Sequence, residues 1–186
     1  SLDNSINKKL VVFVLYKVSD KDHRESYKEL ISLDNYTNLD VHFVEEKHEF
    51  KGSLIEIFKK IRTDKLFFLT DDDVFIRTWD INEVWDLDAF KNILSLRHGL
   101  NITYSYNENL KIIQPEVILK KNYKGIYKFN WFNGTGEWSD PMSVDGHIYS
   151  TVEILNISLI SDFRAPNTYE AALKTYADIN KDCFCY

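Results

Sequence analysis

Glycine and proline are scarce in this chain, since only six glycines and three prolines occur among its 186 residues. That scarcity excludes collagen and low-complexity architectures, and a hydrophobic content of 44% excludes a disordered chain. A long apolar run is also missing, because the longest one, Leu10–Tyr16, falls well short of the roughly 20 residues of a membrane-spanning helix. The sequence therefore predicts one globular domain over residues 1–186, with no transmembrane segment.

Cysteine and basic charge are limited as well. Cys183 and Cys185 are the only cysteines, and two thiols make neither a disulfide framework nor a four-ligand zinc site, so we expect them reduced in a last strand or tail. Lysine and arginine number 23 against 29 acidic residues, a net charge of −6 that argues against nucleic acid as a partner. Lys8 and Lys9 precede the apolar run without a small-residue cleavage site after it, so a cytoplasmic location is expected.

What the chain does contain is an alternation of strand and helix patterns. The β-branched run Leu10–Tyr16 is typical of a strand buried on both faces. A capping box at Ser53 and Glu56 predicts a helix over 53–62, and an apolar strand over 65–70 follows. This β-α-β-α-β order predicts an α/β fold with a mostly parallel central sheet flanked by helices. The elements between these are a helix over 25–32 and a strand over 39–44.

The second half of the chain has shorter patterns. Residues 86–98 are predicted as a helix that Gly99 stops. Turn-forming residues separate the elements that follow. These are a strand over 101–106, a hairpin or two edge strands over 117–120 and 125–130, a strand over 145–149, and helices that begin at Ser150 and Pro166.

Three consecutive aspartates, Asp71, Asp72 and Asp73, directly follow the strand over 65–70. Carboxylates this close repel one another and cannot all be buried as anions without a cation. A hard divalent ion such as Mg²⁺ or Mn²⁺ takes oxygen ligands and keeps positions open for phosphate, so it could join these acids to a diphosphate. In an extended segment Asp71 and Asp73 share one face and Asp72 points away. A solvated acidic turn is the alternative.

The run from Leu66 to Phe75 resembles the D-x-D segment of glycosyltransferases with the GT-A fold, in which a strand delivers acidic residues to a metal bound to a sugar nucleotide. Other segments resemble landmarks of a bacterial glycosyltransferase-like family. The resemblance implies a single-domain, Rossmann-like GT-A sandwich. It also implies an enzyme of the hexosyltransferase type that moves a sugar from a nucleotide-diphosphate donor to a glycan or other hydroxyl acceptor with Mn²⁺ or Mg²⁺. The segments that resemble landmarks of the bacterial family are 51–54, 95–97 with Tyr104, 138–149 and 163–170.

The resemblance also implies roles for individual residues in binding the metal and the donor. Asp71 and Asp73 are the expected metal ligands, and His147 is the candidate that completes the metal shell. The first strand and the loop after it are expected to hold the base of the nucleotide. The donor-binding residues implied in this way are Tyr16, Val18, Arg24, Lys51, Asp71 and Asp72.

Two acidic residues compete for the catalytic role. In many enzymes of this kind an acidic residue at the start of a late helix deprotonates the acceptor hydroxyl, a position that Glu170 matches, and Asp145 is its competitor. A general base needs its carboxylate within hydrogen-bonding reach of the attacking oxygen. The alternative for Glu170 is a capping arrangement with Asn167, and for Asp145 it is a turn before Gly146.

The loop over 129–138 is dense in tryptophan, glycine and asparagine. Sugar rings stack their C–H faces on aromatic rings while their hydroxyls bind amides, which makes Trp131 and Trp138 the candidate acceptor-binding residues. The alternative is that these rings simply cover the sheet.

Two other functions stay open at this point. A non-catalytic domain could bind a sugar nucleotide or a glycan through the same residues. A phosphohydrolase of the haloacid dehalogenase type also has a strand that ends in D-x-D, with the first aspartate as nucleophile, although there the motif follows the first strand. The chain is also short for a GT-A enzyme, so acceptor-binding elements could belong to a longer natural protein.

Overall fold

A computed structural model of the chain describes residues 10–33, 39–47, 49–76, 87–106, 108–119, 125–177 and 181–185. Within these ranges the chain forms ten strands and four α-helices, and contacts divide it into two compact units, residues 1–60 and 61–186. No helix in these ranges is long and apolar enough to cross a membrane.

The first unit has two parallel strands, β1 (Leu10–Tyr16) and β2 (Leu39–Glu45), which pair with Leu10 opposite Leu39. Both strands and their parallel pairing are confirmed, but the expectation that β1 is buried on both faces is wrong, since Val11 is exposed and the other residues of β1 are half-buried. The helix between them, α1 (Lys21–Ser32), begins earlier than the pattern predicts. It does so because the Asp20 carboxylate accepts a hydrogen bond of 2.8 Å from the His23 amide and caps the first turn.

The second helix of this unit, α2, spans Phe50–Phe58, so the capping box predicted at Ser53 is wrong. Ser53 lies inside the helix, where its amide donates to the Glu49 carbonyl at 3.1 Å. Apolar residues at helical spacing begin at Phe50, and packing of this apolar face determines where the helix starts. The buried side chains of α2 are Leu54, Ile57 and Phe58.

The second unit is organised around a six-stranded mixed sheet with the strand order β3-β9-β4-β10-β8-β7. The α/β class is confirmed, but the prediction of a mostly parallel sheet is wrong, since only β4 and β10 pair in parallel here. The chain returns late to insert β9 antiparallel between β3 and β4, a long-range pairing that local patterns do not encode. The strands are β3 (Lys65–Phe67), β4 (Asn92–Ser95), β7 (Val117–Leu119), β8 (Tyr127–Phe129), β9 (His147–Ser150) and β10 (Asp182–Cys185).

The predicted helix over 86–98 is also wrong, because β4 occupies part of it. Ile93 and Leu94 are both buried, one on each face of the sheet. A short strand buried on both faces has no period-two alternation, so its pattern is indistinguishable from part of a buried helix. Pairing with β9 and β10 decides in favour of the strand.

Hydrophobic side chains fill both faces of this sheet. On one face Leu94, Ile126, Ile148 and Phe184 form a buried cluster. Cys183 and Cys185 are both buried in β10, which confirms the last strand, and burial raises the pKa of Cys183 to about 12. The remaining elements are β5 (Tyr104–Ser105), β6 (Leu110–Lys111), α3 (Thr151–Ile160) and α4 (Pro166–Thr175).

Candidate functional site

The candidate site lies at the edge of the sheet where β3 and β4 end and β9 begins. Gly146, just before β9, donates through its amide to the Phe68 carbonyl at 2.8 Å and accepts from the Leu96 amide at 2.7 Å. Gly146 has φ +70°, a left-handed conformation that a residue with a Cβ adopts only with strain. This glycine therefore ties together the chain after β3, the chain after β4 and Asp145.

Three carboxylates gather around the hydroxyl of Thr70. Its Oγ1 lies 2.8 Å from Asp72 Oδ1, 3.2 Å from Asp73 Oδ2 and 3.3 Å from Asp145 Oδ1. A hydroxyl has one proton, so it can donate to only one of these carboxylates at a time. The chain turns here, since the Asp73 amide donates to the Thr70 carbonyl at 3.2 Å, and the extended arrangement with Asp72 pointing away is wrong.

The chemistry of this group suits a hard cation, although its geometry is not that of a complete metal site. Asp71, Asp72 and Asp73 are all exposed to solvent. In the described ranges no three His, Cys, Asp or Glu side chains form a group that could hold a metal ion by themselves. Carboxylate oxygens are the ligands that Mg²⁺ and Mn²⁺ prefer, and both ions commonly complete their shells with water and phosphate oxygens.

Arg97 follows β4 and connects two acidic residues of the edge. Its Nη2 donates to Glu137 Oε2 at 2.6 Å, and its Nη1 lies 3.2 Å from Asp145 Oδ2. The second carboxylate oxygen of Glu137 accepts a bond of 3.1 Å from the Ser105 hydroxyl. The Arg97 side chain is 29% exposed, so these ion pairs are only partly screened by water. Arg97 thus neutralises Asp145 on the side away from Thr70.

Glu170 belongs to the same network through Ser143. The fully buried Ser143 donates through its hydroxyl to Glu170 Oε1 at 2.6 Å, and the same hydroxyl lies 3.4 Å from Arg97 Nη1. The other oxygen, Oε2, is 4.0 Å from Lys174 Nζ. The capping alternative for Glu170 is wrong, because Thr168 Oγ1 accepts from the Ala165 amide at 3.0 Å in that role.

Lys174 also links this network to Asp140. Its Nζ lies 2.6 Å from Asp140 Oδ2. Burial raises the pKa of the Asp140 carboxyl, an effect that the Lys174 ammonium opposes. The charge of Lys174 is therefore shared between Asp140 and Glu170.

His147 lies behind this edge, within a buried aromatic cluster. It is 1% exposed, and its Nδ1 donates to the main-chain carbonyl of Asp145 at 3.1 Å. Burial, followed by the neighbouring His98, holds the pKa of His147 well below its usual value. Its imidazole contacts Tyr149 and His98 rather than the aspartates around Thr70.

The two tryptophans named as acceptor-binding residues lie in different surroundings. Trp138 has no exposed surface, stacks on His98 at 5.0 Å between ring centroids and donates to the Ile102 carbonyl at 3.0 Å. Trp131 follows β8, whose last residues pair beside the first residues of β10, so it lies at the opposite end of the sheet from Arg97. Trp131 lines a cleft of about 290 Å³ there. Trp138 therefore covers the sheet, as the alternative predicts.

The donor-binding residues expected from the first strand and helices all lie in the unit of residues 1–60. Tyr16 ends β1 and stacks on Tyr27 with 4.1 Å between ring centroids. Arg24 in α1 pairs with Glu45 at 3.1 Å. The other two are Val18, half-buried after β1, and Lys51, in the first turn of α2.

Sequence reasoning does not single out Thr70, Ser143 or Glu137, and it includes Arg97 only within a longer segment. The sequence does contain a signal for Thr70 and for Arg97. Thr70 directly precedes the aspartate triplet, and Arg97 follows β4, so a correct assignment of that strand indicates it. Ser143 and Glu137 come from irregular segments whose position depends on tertiary packing.

Comparisons of the chain with protein-family models, curated proteins and solved structures give no match. Function is therefore inferred from the residues at this edge. These residues are a group of carboxylates whose chemistry, though not their geometry, suits a cation, an arginine that binds one of them, and a further carboxylate, Glu170, that is only partly engaged.

Proposed function

We propose that the edge formed by β3, β9 and β4 binds a nucleotide-diphosphate sugar through a divalent cation and transfers the sugar to a hydroxyl acceptor. The observation that carries this proposal is the group of three carboxylates within 3.3 Å of one hydroxyl, Thr70 Oγ1. Acids this close are stabilised by a cation, and a diphosphate supplies the remaining hard oxygen ligands.

The aspartate triplet is the proposed binding place of the cation and the diphosphate. Asp71 and Asp73 are the proposed metal ligands, and the turn at Thr70 makes Asp72 a third candidate. Bound Mn²⁺ or Mg²⁺ would act as a Lewis acid that stabilises the negative charge of the diphosphate. His147 is left out of the proposed metal site, because its buried ring contacts an aromatic cluster.

Glu170 is the proposed general base, in preference to Asp145. Both carboxylate oxygens of Asp145 are engaged, one near Thr70 and the other by Arg97. Glu170 accepts one strong hydrogen bond at Oε1, whereas the partner that the described part of the chain gives its Oε2 is Lys174 at 4.0 Å. A carboxylate held by a guanidinium is a poor proton acceptor, so the more weakly held oxygen of Glu170 is the better one.

The proposed reaction is a substitution at the anomeric carbon of the donor. The acceptor hydroxyl transfers its proton to Glu170 Oε2 as its oxygen bonds to the anomeric carbon. The bond between that carbon and the diphosphate oxygen breaks, and the electron pair leaves with the nucleotide diphosphate. Ser143 and Lys174 hold Glu170 in position during this step.

A thermal-shift panel of nucleotide diphosphates, with and without Mn²⁺, tests the binding step on the full chain. A ligand that binds only the folded state raises the melting temperature. We expect an increase for one nucleotide only when Mn²⁺ is present, and Asp73→Asn should abolish it. Asp162→Asn removes the same charge from an exposed position after α3 and should leave the increase intact. No increase with any nucleotide contradicts the proposal.

Turnover separates the enzyme from a binding domain. Glu170→Gln should retain the thermal shift and lose release of nucleotide diphosphate in the presence of donor and acceptor. A parent protein that binds a nucleotide sugar but releases no nucleotide diphosphate with any acceptor favours the non-catalytic alternative.

A further inference from the structure

Two acidic residues connect Arg97 to a pair of buried histidines. Glu137 and Asp145 both bind Arg97 with their carboxylates, and both also accept a hydrogen bond at their main-chain carbonyls from a buried histidine. His98 Nε2 lies 2.8 Å from the Glu137 carbonyl, and His147 Nδ1 lies 3.1 Å from the Asp145 carbonyl. The two imidazoles meet edge to face at 5.2 Å. Each acid thus binds Arg97 through its carboxylate and a histidine through its main-chain carbonyl.

The carbonyl partners determine where each imidazole has its proton. A carbonyl oxygen only accepts, so His98 is protonated on Nε2 and His147 on Nδ1. The other ring nitrogens, His98 Nδ1 and His147 Nε2, are buried without a hydrogen-bond partner in the described part of the chain. A second proton on either ring would put a buried charge next to the other ring and near Arg97. Both rings are therefore neutral, and they are opposite tautomers.

Aromatic packing fixes the direction in which each histidine donates. His98 is stacked on Trp138 and meets the edge of Phe129 at 5.6 Å. His147 is stacked against Tyr149 with 6.1 Å between centroids. Both histidines are 1% exposed, so neither ring can turn without disturbing this cluster.

We propose that His98 and His147 are positioning residues, which hold the main chain at Glu137 and Asp145 so that both carboxylates reach Arg97. The effect on sugar transfer rests on the proposed function, whereas the effect on Arg97 does not. This role differs from the metal ligation that the glycosyltransferase resemblance implies for His147, because it uses Nδ1 as a donor to a carbonyl.

The tautomers give a direct test by NMR. In ¹⁵N-labelled protein at pH 7, long-range correlations of the imidazoles should show one histidine protonated only on Nε2 and another only on Nδ1. Loss of each signal in His98→Gln and His147→Asn assigns it. The opposite tautomer at either position, or a doubly protonated ring, overturns the proposal even if other variants fail to fold.

Substitutions that keep or misplace the donor test the positioning itself. Glutamine presents its amide nitrogen near the place of Nε2, and asparagine near that of Nδ1. We expect His98→Gln and His147→Asn to keep separate Nη signals for Arg97, which report a guanidinium held at both ends. The matched controls His98→Asn and His147→Gln contain the same groups with the donor misplaced, and their Nη signals should average.

Nucleotide binding adds a second measurement to the same four variants. The metal-dependent affinity for nucleotide diphosphate should fall at least tenfold in the two controls and less than threefold in the two donor-keeping variants. Equal behaviour of all four variants in the Arg97 signals means that the rings act only by packing, which overturns the proposal. Separate Nη signals with no nucleotide binding by the parent protein mean that the proposed function fails and the positioning role stands.

Discussion

The six-stranded sheet has charged side chains at both of its ends. Where β10 begins, Lys128 contacts Asp182, and Lys181 contacts Glu153, so each of these acids has its own cation. Where β3 and β4 end, Asp72, Asp73 and Asp145 surround Thr70, and the only ion pair described for them joins Asp145 to Arg97. This difference indicates that an excess of carboxylates over cations, more than aromatic content, distinguishes the candidate site of this molecule.

The largest expected effect concerns pH, because the buried histidines of the described ranges, His98 and His147, lie behind the acidic end. Burial lowers the pKa of His98 from 6.5 to about 4 in the folded state. Between these values the unfolded chain binds more protons than the folded one, so the free energy of unfolding should fall as the pH decreases from about 6.5 to 4. The shift corresponds to about 3 kcal/mol. His147 acts in the same direction.

Urea unfolding at several pH values measures this effect. Carboxylates also titrate in part of this range, so His98→Gln provides the reference that isolates the histidine contribution. The slope of stability between pH 6.5 and 4 should be clearly smaller in this variant. An unchanged slope contradicts the assignment of His98 as a buried neutral group.

Removing one cation at each end of the six-stranded sheet compares the two ends directly. Arg97→Leu leaves Glu137 and Asp145 without their cation, and because the guanidinium is partly buried we expect a loss of about 2 kcal/mol. Lys128→Leu at the opposite end breaks a pair whose side chains are 36% and 40% exposed, and it should cost less than about 1 kcal/mol. Equal losses in urea unfolding contradict the distinction between the two ends.

A smaller effect is expected at Gly146. Gly146→Ala puts a Cβ on a residue with φ +70°, which should cost about 1 to 2 kcal/mol and displace Asp145. Gly52 provides a control of opposite sign, since a Cβ there meets nothing within 4 Å and alanine favours the helix by up to about 1 kcal/mol. Thermal unfolding of both variants measures the contrast. A Gly146→Ala protein as stable as the parent shows that this turn tolerates a side chain.

The parts of the fold that the sequence predicts are those with a strong local signal. The strand Leu10–Tyr16, the hairpin of β7 and β8, and the helix that begins at Pro166 are all confirmed. The strand β4 is missed because its residues are buried on both faces. The order of the sheet is missed because β9 pairs with strands far away in the chain.

The sequence indicates the aspartates and Glu170 of the candidate site, but neither Glu137 nor the contacts that connect these acids. Asp145 and Glu170 appear in the sequence as competitors, and the structure joins both to the hydroxyl of Ser143, which donates to the Glu170 carboxylate and accepts from the Asp145 amide. Arg97 could be found only after β4 is recognised. The burial of His147 depends on how the aromatic cluster packs, which no local pattern reports.

The insertion of β9 between β3 and β4 has a consequence for the order of events during synthesis. Thr70 and Asp145 are 75 positions apart, so a nascent chain that has emerged only as far as the aspartate triplet lacks the strand that completes the edge. Any affinity for ligand that needs the complete edge must therefore appear only after β9 has left the ribosome. A ligand could stabilise the finished molecule, but it could not guide the early stages of folding.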